Sequence, residues 1–270
     1  MPLNVLFMGD IVGKPGRKAI VDHLPALKAE LKIDFVIANA ENAAHGFGIT
    51  EGVAQELYRT GVDVITLGNH TFDQPETENL LVSDWRMLRP YNYPPHTAGV
   101  GYKAYPLPNG KQIGIVSLMG RLFMEHNLDC PFQASRKLMQ DVRVGEGVDY
   151  LIVDVHAEAA SEKRCLAALW DGKASAVVGS HTHVPTADTC IMDRGTGYHT
   201  DAGMCGYYNS SLGMGFDGAL GRFEKKGKIR LEVAEGPGTL CATFLTLADN
   251  GLCTAIKPLR VGGNIIPEAR

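Results

Sequence analysis

The sequence predicts an α/β protein whose strands are buried between layers of helix. Short Val- and Ile-rich runs recur along most of the chain, and several are separated by stretches with helical spacing of apolar residues. The runs are apolar at successive positions rather than at alternate ones, as strands covered on both faces require.

The first run, residues 4–9 (NVLFMG), is closed by Asp10. Within 17–31, Ile20, Leu24, Leu27 and Leu31 recur at spacings of four, three and four, which is one face of a helix. Pro25 inside it marks either a kink or the helix's true start. Residues 34–40 (DFVIANA) form the next strand and 50–60 the next helix, with Thr50 as N-cap and Gly61 just past its end. The runs 62–68, 112–118, 149–155 and 174–179 continue the strand series, and 161–171 is a helix capped by Ser161 and followed by Gly172. Residues 228–235, 240–248 and 252–260 have no helix between them, and Asn250-Gly251 is a strong hairpin signal. They are expected to form an antiparallel meander that completes a second sheet. With no linker rich in Pro, Gly or Ser, one domain over 1–270 is expected. Two Gly-, Pro- and Tyr-rich stretches, 86–110 and 201–218, read as long irregular loops, at least one of them bordering the active site.

Composition bounds the function. The 270 residues carry 26 Lys and Arg against 30 Asp and Glu, a net charge of −4. That balance argues against a broad surface for duplex nucleic acid, which needs many basic contacts. It is compatible with an anionic small molecule, because bound metal ions invert the local field. The opening MPLNVLFMGD has neither a basic segment nor a long apolar core, so no signal peptide is expected. No stretch approaches the ~18 apolar residues of a membrane span. The six cysteines (130, 165, 190, 205, 241, 253) are scattered without a CxxC pair, as reduced thiols of a cytoplasmic protein are.

The polar residues at the strand ends carry the chemistry. Asp10 follows NVLFMG, Glu41-Asn42 follow FVIANA, Asn69-His70 follow VITLG, His156 follows LIVDV, and His181 and His183 follow AVVGS. In an open α/β sheet, ligands bind at the carboxyl ends of the strands. Taken singly, Asp10 and Asn69-His70 also fit turns, and His156 fits a satisfied core histidine. Taken together they point to one metal site, since His181 and His183 lie on the same side of an extended chain. The glycine run from Gly9 to Gly16 lacks the GxGxxG spacing, and the dinucleotide reading is set aside. A mixed oxygen and nitrogen set without thiolate fits Mn²⁺, Fe or Zn²⁺. The seven candidates Asp10, Glu41, Asn42, Asn69, His156, His181 and His183 suit two ions, with Glu41 as the natural bridge. Two divalent ions against two carboxylates leave net positive charge, which suits a phosphoryl group.

These motifs resemble the metallophosphoesterase (calcineurin-like) superfamily. GDIVGKPGR, IANAENAAHGFGIT, LGNHTFDQ, NYPP, VDVHAEAASEK and GSHTHVPTAD resemble, more closely, its YmdB-like branch, in order over about residues 3–205. The resemblance implies a four-layer sandwich, two β-sheets flanked by α-helices, with a dinuclear centre at the strand ends. It implies that Asp10, Glu41, Asn42 and His183 hold one ion and that Glu41, Asn69, His156 and His181 hold the other. His70 is then the general acid. The ions would be divalent or mixed-valence, Fe or Mn first and Zn as the alternative. Three positions depart from the wider superfamily. Its DxH start is Asp10-Ile11-Val12 here, with Asn42 standing for the missing histidine, and its bridging Asp is Glu41. Thr71 rather than an acid follows His70, and Asp73 comes two residues later. Self-association is compatible with the resemblance.

The expected reaction is hydrolysis of a small phosphodiester, by resemblance a 2′,3′-cyclic nucleotide. A hydroxide bridging the ions would attack phosphorus while His70 protonates the leaving oxygen. Tyr207 and Tyr208 are candidates to stack on the base, and ordinary loop packing explains them equally well. Two rivals stand beside this reading: a phosphomonoesterase on the same centre, with Arg121 as its extra cation, and a regulatory protein that binds metal or nucleotide without turnover.

Overall fold

A computed structural model describes residues 2–124, 127–224, 227 and 229–265. The strands are β1 (Leu3–Met8), β2 (Phe35–Asn39), β3 (Val64–Thr66), β4 (Met87–Leu88), β5 (Tyr102–Pro106) and β6 (Gln112–Met119). They continue as β7 (Tyr150–His156), β8 (Ala176–Ser180), β9 (Cys190–Ile191), β10 (Gly197–His199), β11 (Leu240–Leu247) and β12 (Cys253–Val261). The helices are α1 (Gly13–Leu31), α2 (Glu51–Thr60), α3 (Thr77–Ser83), α4 (Pro131–Leu138), α5 (Ala160–Trp170) and α6 (Phe216–Phe223). The strands form two six-stranded sheets, in the orders β12-β11-β1-β2-β3-β4 and β9-β10-β8-β7-β6-β5. Within each sheet the central strands that feed the site run parallel, β1-β2-β3 in one and β6-β7-β8 in the other.

Three apolar layers hold four structural layers together, as expected for an α/β sandwich. Leu6, Met8, Val36 and Ala38 face α1 and α2 through Ile20, Leu24, Ala54 and Leu57. Val5, Phe7, Phe35 and Ile37 turn the other way and meet Ile113, Ile115, Tyr150 and Ile152 of the second sheet. On the far side, Val116, Leu118, Leu151 and Val153 pack on Leu138, Leu166 and Trp170 of α4 and α5. The alternation of odd and even residues between layers is the period-2 geometry of a strand.

Local signals explain most elements. The Thr50 hydroxyl accepts from the Val53 N–H, and Gly61 closes α2 at φ 110°. Gly251, at φ 84°, donates to the Ala248 carbonyl and closes the β11–β12 hairpin at the expected Asn-Gly. Four expectations change. α1 begins at Gly13 and runs through Pro25, which neither starts nor ends it. Val21, four residues before it, and Pro25 itself lie on the solvent-exposed face of the helix, away from the core. α5 starts one residue early at Ala160, which puts Ser161 inside its first turn and leaves no side-chain cap. Residues 229–235 form no strand beyond an isolated bridge from Val233 to Met214, and residue 228 lies outside the described residues. β11 is already paired with β1 on one side and β12 on the other, so no edge is left for a third strand. For the same reason the hairpin extends the first sheet rather than completing a second. Finally, 86–110 is not wholly irregular, since it holds β4 and β5, and 201–218 holds the short pair of Met204–Cys205 with Asp10–Ile11. No helix among the described residues is long and apolar enough to cross a membrane.

Candidate metal centre

The strand alternation that builds the middle core layer also builds the site. Toward the carboxyl ends, the inward positions switch from apolar to polar. On β2 the inward series is Phe35, Ile37, Asn39 and then Glu41; on β7 it is Tyr150, Ile152, Asp154 and His156. Thr66 on β3, Ser117 on β6 and Ser180 on β8 make the same switch, and all of these side chains are buried.

All seven candidates come to one place. The Nε2 of His156 lies 2.9 Å from Asn69 Oδ1, 3.0 Å from Glu41 Oε1 and 3.1 Å from His181 Nδ1. Glu41, His156 and His181 offer ligand atoms all within 4.8 Å of one another. Asp10 is reached through the His181 N–H, which donates to its Oδ2 at 3.0 Å, and its Oδ1 lies 3.7 Å from His156 Nδ1. The Asn42 amide is oriented by its Nδ2, which donates to the Gly46 carbonyl at 2.9 Å, and its Oδ1 meets His183 Nε2 at 3.3 Å. His181 and His183 adopt positive φ, 99° and 64°, a region that non-glycine residues rarely occupy outside constrained functional turns.

This donor set fits a metal. A single imidazole N–H can satisfy only one of the three lone-pair atoms crowded on His156 Nε2. Asp10 Oδ1 is buried with no hydrogen-bond partner, an arrangement that costs free energy unless a cation meets it. Burial raises the Asp10 carboxyl above its ordinary range. Burial would raise Glu41 as well, but His156 and the His70 N–H, which donates to Glu41 Oε2 at 2.8 Å, hold it down to about 2. Burial opposes the charge on His156, and Glu41, followed by Asp10 and Asp154, overrides it and carries His156 up to about 9. Burial and the neighbouring His156 push His181 down to about 3. The carboxylates thus favour positive charge at His156, in the place where a cation would be bound.

His70 stands at the rim. Its Nδ1 is 2.7 Å from Asp73 Oδ2, so the acid two residues beyond Thr71 does pair with it. The Phe47 ring packs edge-on against the His70 ring at 5.0 Å. Gly68, two residues before, is obligatory, because a Cβ there would lie 2.3 Å from His156 Nε2 and 2.5 Å from Glu41 Oε2.

Several residues that the strand-end pattern does not single out support the centre. Asp154 Oδ2 accepts from Thr66 Oγ1 at 2.6 Å, and its Oδ1 accepts from Ser180 Oγ at 2.7 Å. The Ser180 proton being so used, its oxygen accepts from His156 Nδ1–H at 3.0 Å, which points the Nε2 lone pair into the site. Burial raises Asp154 to about 6, which leaves it ionised at neutral pH. Lys163 on α5 and Asp201 form a buried pair at 2.8 Å; Lys163 also donates to the Ser180 carbonyl, and Asp201 accepts from the Thr182 N–H. Glu158, inside the VDVHAEAASEK motif, lies 3.2 Å from His181 Nε2. Tyr93, from the 86–110 stretch, is close enough for Glu41 and Asp73 to add to the burial that raises its phenol to about 12. Tyr208 is not a stacking residue. It is largely buried, with its hydroxyl bonded to the Met204 and His183 backbone, and the Tyr207 ring packs against Gly236.

Two sheets between helical layers, with Asp, Glu, Asn and His gathered at the parallel strand ends, define a metallophosphoesterase, a class whose members carry divalent metal ions. Within that class the family is clear. A model of the family described as YmdB-like protein matches residues 6–259, and the chain belongs to that family. A Bacillus subtilis (strain 168) relative named 2′,3′-cyclic-nucleotide 2′-phosphodiesterase is 42% identical over 247 residues, 92% of each chain. A solved structure of a Thermus thermophilus protein, described as hypothetical, is 40% identical with a TM-score of 0.90, covering 97% of this chain and 100% of that one. A Mycoplasma pneumoniae structure described as a novel phosphatase is 30% identical, also with a TM-score of 0.90, over 97% of this chain and 94% of its own. The chain is a phosphoric ester hydrolase of this kind.

Proposed function

We propose that the chain is a dinuclear metal-dependent phosphodiesterase acting on small phosphodiesters, 2′,3′-cyclic nucleotides foremost. The observation that carries this is the crowding of Asn69, Glu41 and His181 on His156 Nε2 beside the orphaned Asp10 Oδ1. Asp10, Glu41, Asn42 and His183 would hold one ion and Glu41, Asn69, His156 and His181 the second, Fe or Mn before Zn. When bound, such ions supply the nucleophile-activating and charge-neutralising chemistry of a two-metal phosphoryl-transfer site. His70 donates its Nε2 proton to the leaving oxygen, and Asp73 on its Nδ1 fixes the ring. Phe47 limits how far the ring can swing. Glu158 holds His181 from outside the centre.

A cavity of about 600 Å³ opens over Glu41, Asn42, His70, His181 and His183, a size that suits a mononucleotide. Arg121 does not line it among the described residues, which weakens the monoesterase reading. The net charge of −4 favours a small nucleotide over a duplex. Apolar layers shared by elements from both ends of the chain support one domain over 1–270, and free thiols at all six cysteines support a cytoplasmic setting. Elemental analysis of purified protein, paired with rates on 2′,3′- and 3′,5′-cyclic nucleotides, tests the proposal. About two equivalents of metal and preferred turnover of the 2′,3′ substrate are expected. Metal-replete protein that hydrolyses no phosphodiester would overturn it.

A further inference from the structure

The lining of the cavity over the candidate centre has two chemically different parts. One is the cluster of carboxylate, amide and imidazole groups that would draw a phosphoryl group. The other is apolar and is built by Phe47, Leu212, Met214, Ala219, Phe223 and Leu231. Phe223 is the last residue of α6 and is 81% exposed, although it lines this cavity. An exposed phenyl ring loses the apolar contact that would repay its hydration, so a ring held this far open beside a polar site gains most from a ligand with an apolar face. The end of α6 is anchored, because Arg222 donates from Nε to the Ile229 carbonyl at 2.9 Å. Arg222 also lines the cavity, the one arginine or lysine among its described lining residues.

Resting on the phosphodiesterase reading above, we propose that Phe223 is a base platform. A nucleotide would place its phosphodiester at the strand ends and lay the flat face of its base on the Phe223 ring, with Phe47 closing the inner wall next to His70. Aromatic rings accept every base because each base has a π-face, so the platform selects for a nucleoside over a base-free phosphodiester without reading base identity. This assigns substrate recognition to the C-terminal end of α6. Tyr207 and Tyr208 are committed to packing and do not share the task.

The test is calorimetric binding to protein reconstituted with Mn²⁺, using adenosine 3′-monophosphate and inorganic phosphate as probes. Phe223→Ala should weaken the nucleotide about tenfold and leave phosphate unchanged, and Phe223→Trp should restore nucleotide affinity. In turnover, Phe223→Ala should raise KM for 2′,3′-cyclic AMP by a similar factor with kcat within about twofold. Unchanged nucleotide affinity, or equal losses for both probes, would overturn the platform. So would sedimentation showing that Phe223→Ala breaks a dimer while nucleotide affinity holds, for then Phe216, Leu220 and Phe223, all exposed on α6, seat a second copy. If the wild type turns over no cyclic nucleotide but binds adenosine 3′-monophosphate through Phe223, the phosphodiesterase reading falls and the platform stands.

Discussion

Replacing Lys163 with Met tests how the two-histidine turn is held. Lys163 Nζ lies 2.8 Å from Asp201 Oδ2 and 2.7 Å from the Ser180 carbonyl, and both side chains are fully buried. Burial alone would raise the Asp201 carboxyl, but the Lys163 ammonium and the N–H groups of Gly203 and Thr182 hold it below the ordinary carboxylate range. Met keeps the apolar stem and removes the charge, which leaves Asp201 buried without its cation. Breaking a buried pair from one side costs about 3–5 kcal/mol. For a chain of this length that lowers the midpoint of thermal unfolding by roughly 10 °C. In an Asp201→Asn background the same change should cost less than half as much, because no buried charge is stranded. The pH dependence has a definite sign. A depressed carboxyl contributes stability above its unfolded pKa, near 3.9, and loses it as pH falls below that value. In Lys163→Met, burial instead raises Asp201, so the variant recovers stability as it takes up a proton. The gap between the two proteins therefore narrows with falling pH. Chemical unfolding in the presence of chelator measures all of this. A loss under about 1 kcal/mol, or an equal loss in the Asp201→Asn background, would refute the reasoning.

Other perturbations separate chemistry from scaffold. His70→Ala should keep its metal and lose about 10²–10⁴-fold in kcat, and unchanged turnover would remove His70 from the general-acid role. Gly68→Ala drives a Cβ to within 2.2 Å of His156 Cδ2, so elemental analysis should find the metal lost from a folded protein; a full complement would contradict the geometry. Ser180→Ala removes the acceptor on His156 Nδ1 and should weaken metal affinity 10–100-fold by competition with a chelating dye. Because His156 keeps its proton up to about 9 without metal, binding must expel it. Metal affinity should therefore climb up to tenfold per pH unit towards pH 9, and a flat profile would argue that His156 is not a ligand.

How much of this centre the sequence discloses depends on which face of a strand is read. Residues just past a strand stand out because polarity changes abruptly there, and that is how Asp10, Glu41, Asn42, Asn69, His70, His181 and His183 become visible. Residues inside a strand that is buried on both sides are masked by apolar neighbours on the opposite face. Asp154 is hidden between Val153 and Val155, which point into the α4–α5 layer. Separating the faces of β7 changes the picture: Tyr150, Ile152, Asp154 and His156 form one series and Leu151, Val153 and Val155 the other. The same separation turns Asn39, Thr66, Ser117 and Ser180 from incidental polar residues into a buried layer that joins the two sheets beneath the site. Ser117 Oγ donates across to the Leu67 carbonyl at 3.0 Å, and Thr66 and Asn39 reach Asp154 from the first sheet at 2.6 and 3.3 Å. What stays illegible is non-local. The pairing of Lys163 with Asp201 spans 38 residues, and the exposure of Phe223 depends on where α6 docks, which no short-range pattern encodes. Partner choice on β11 is of the same kind. Residues 229–235 have strand-like composition, but β1 and β12 already occupy both edges of β11, and tertiary pairing overrides local preference. That displaced segment is free to lie beside α6, where Leu231 joins the apolar lining of the cavity.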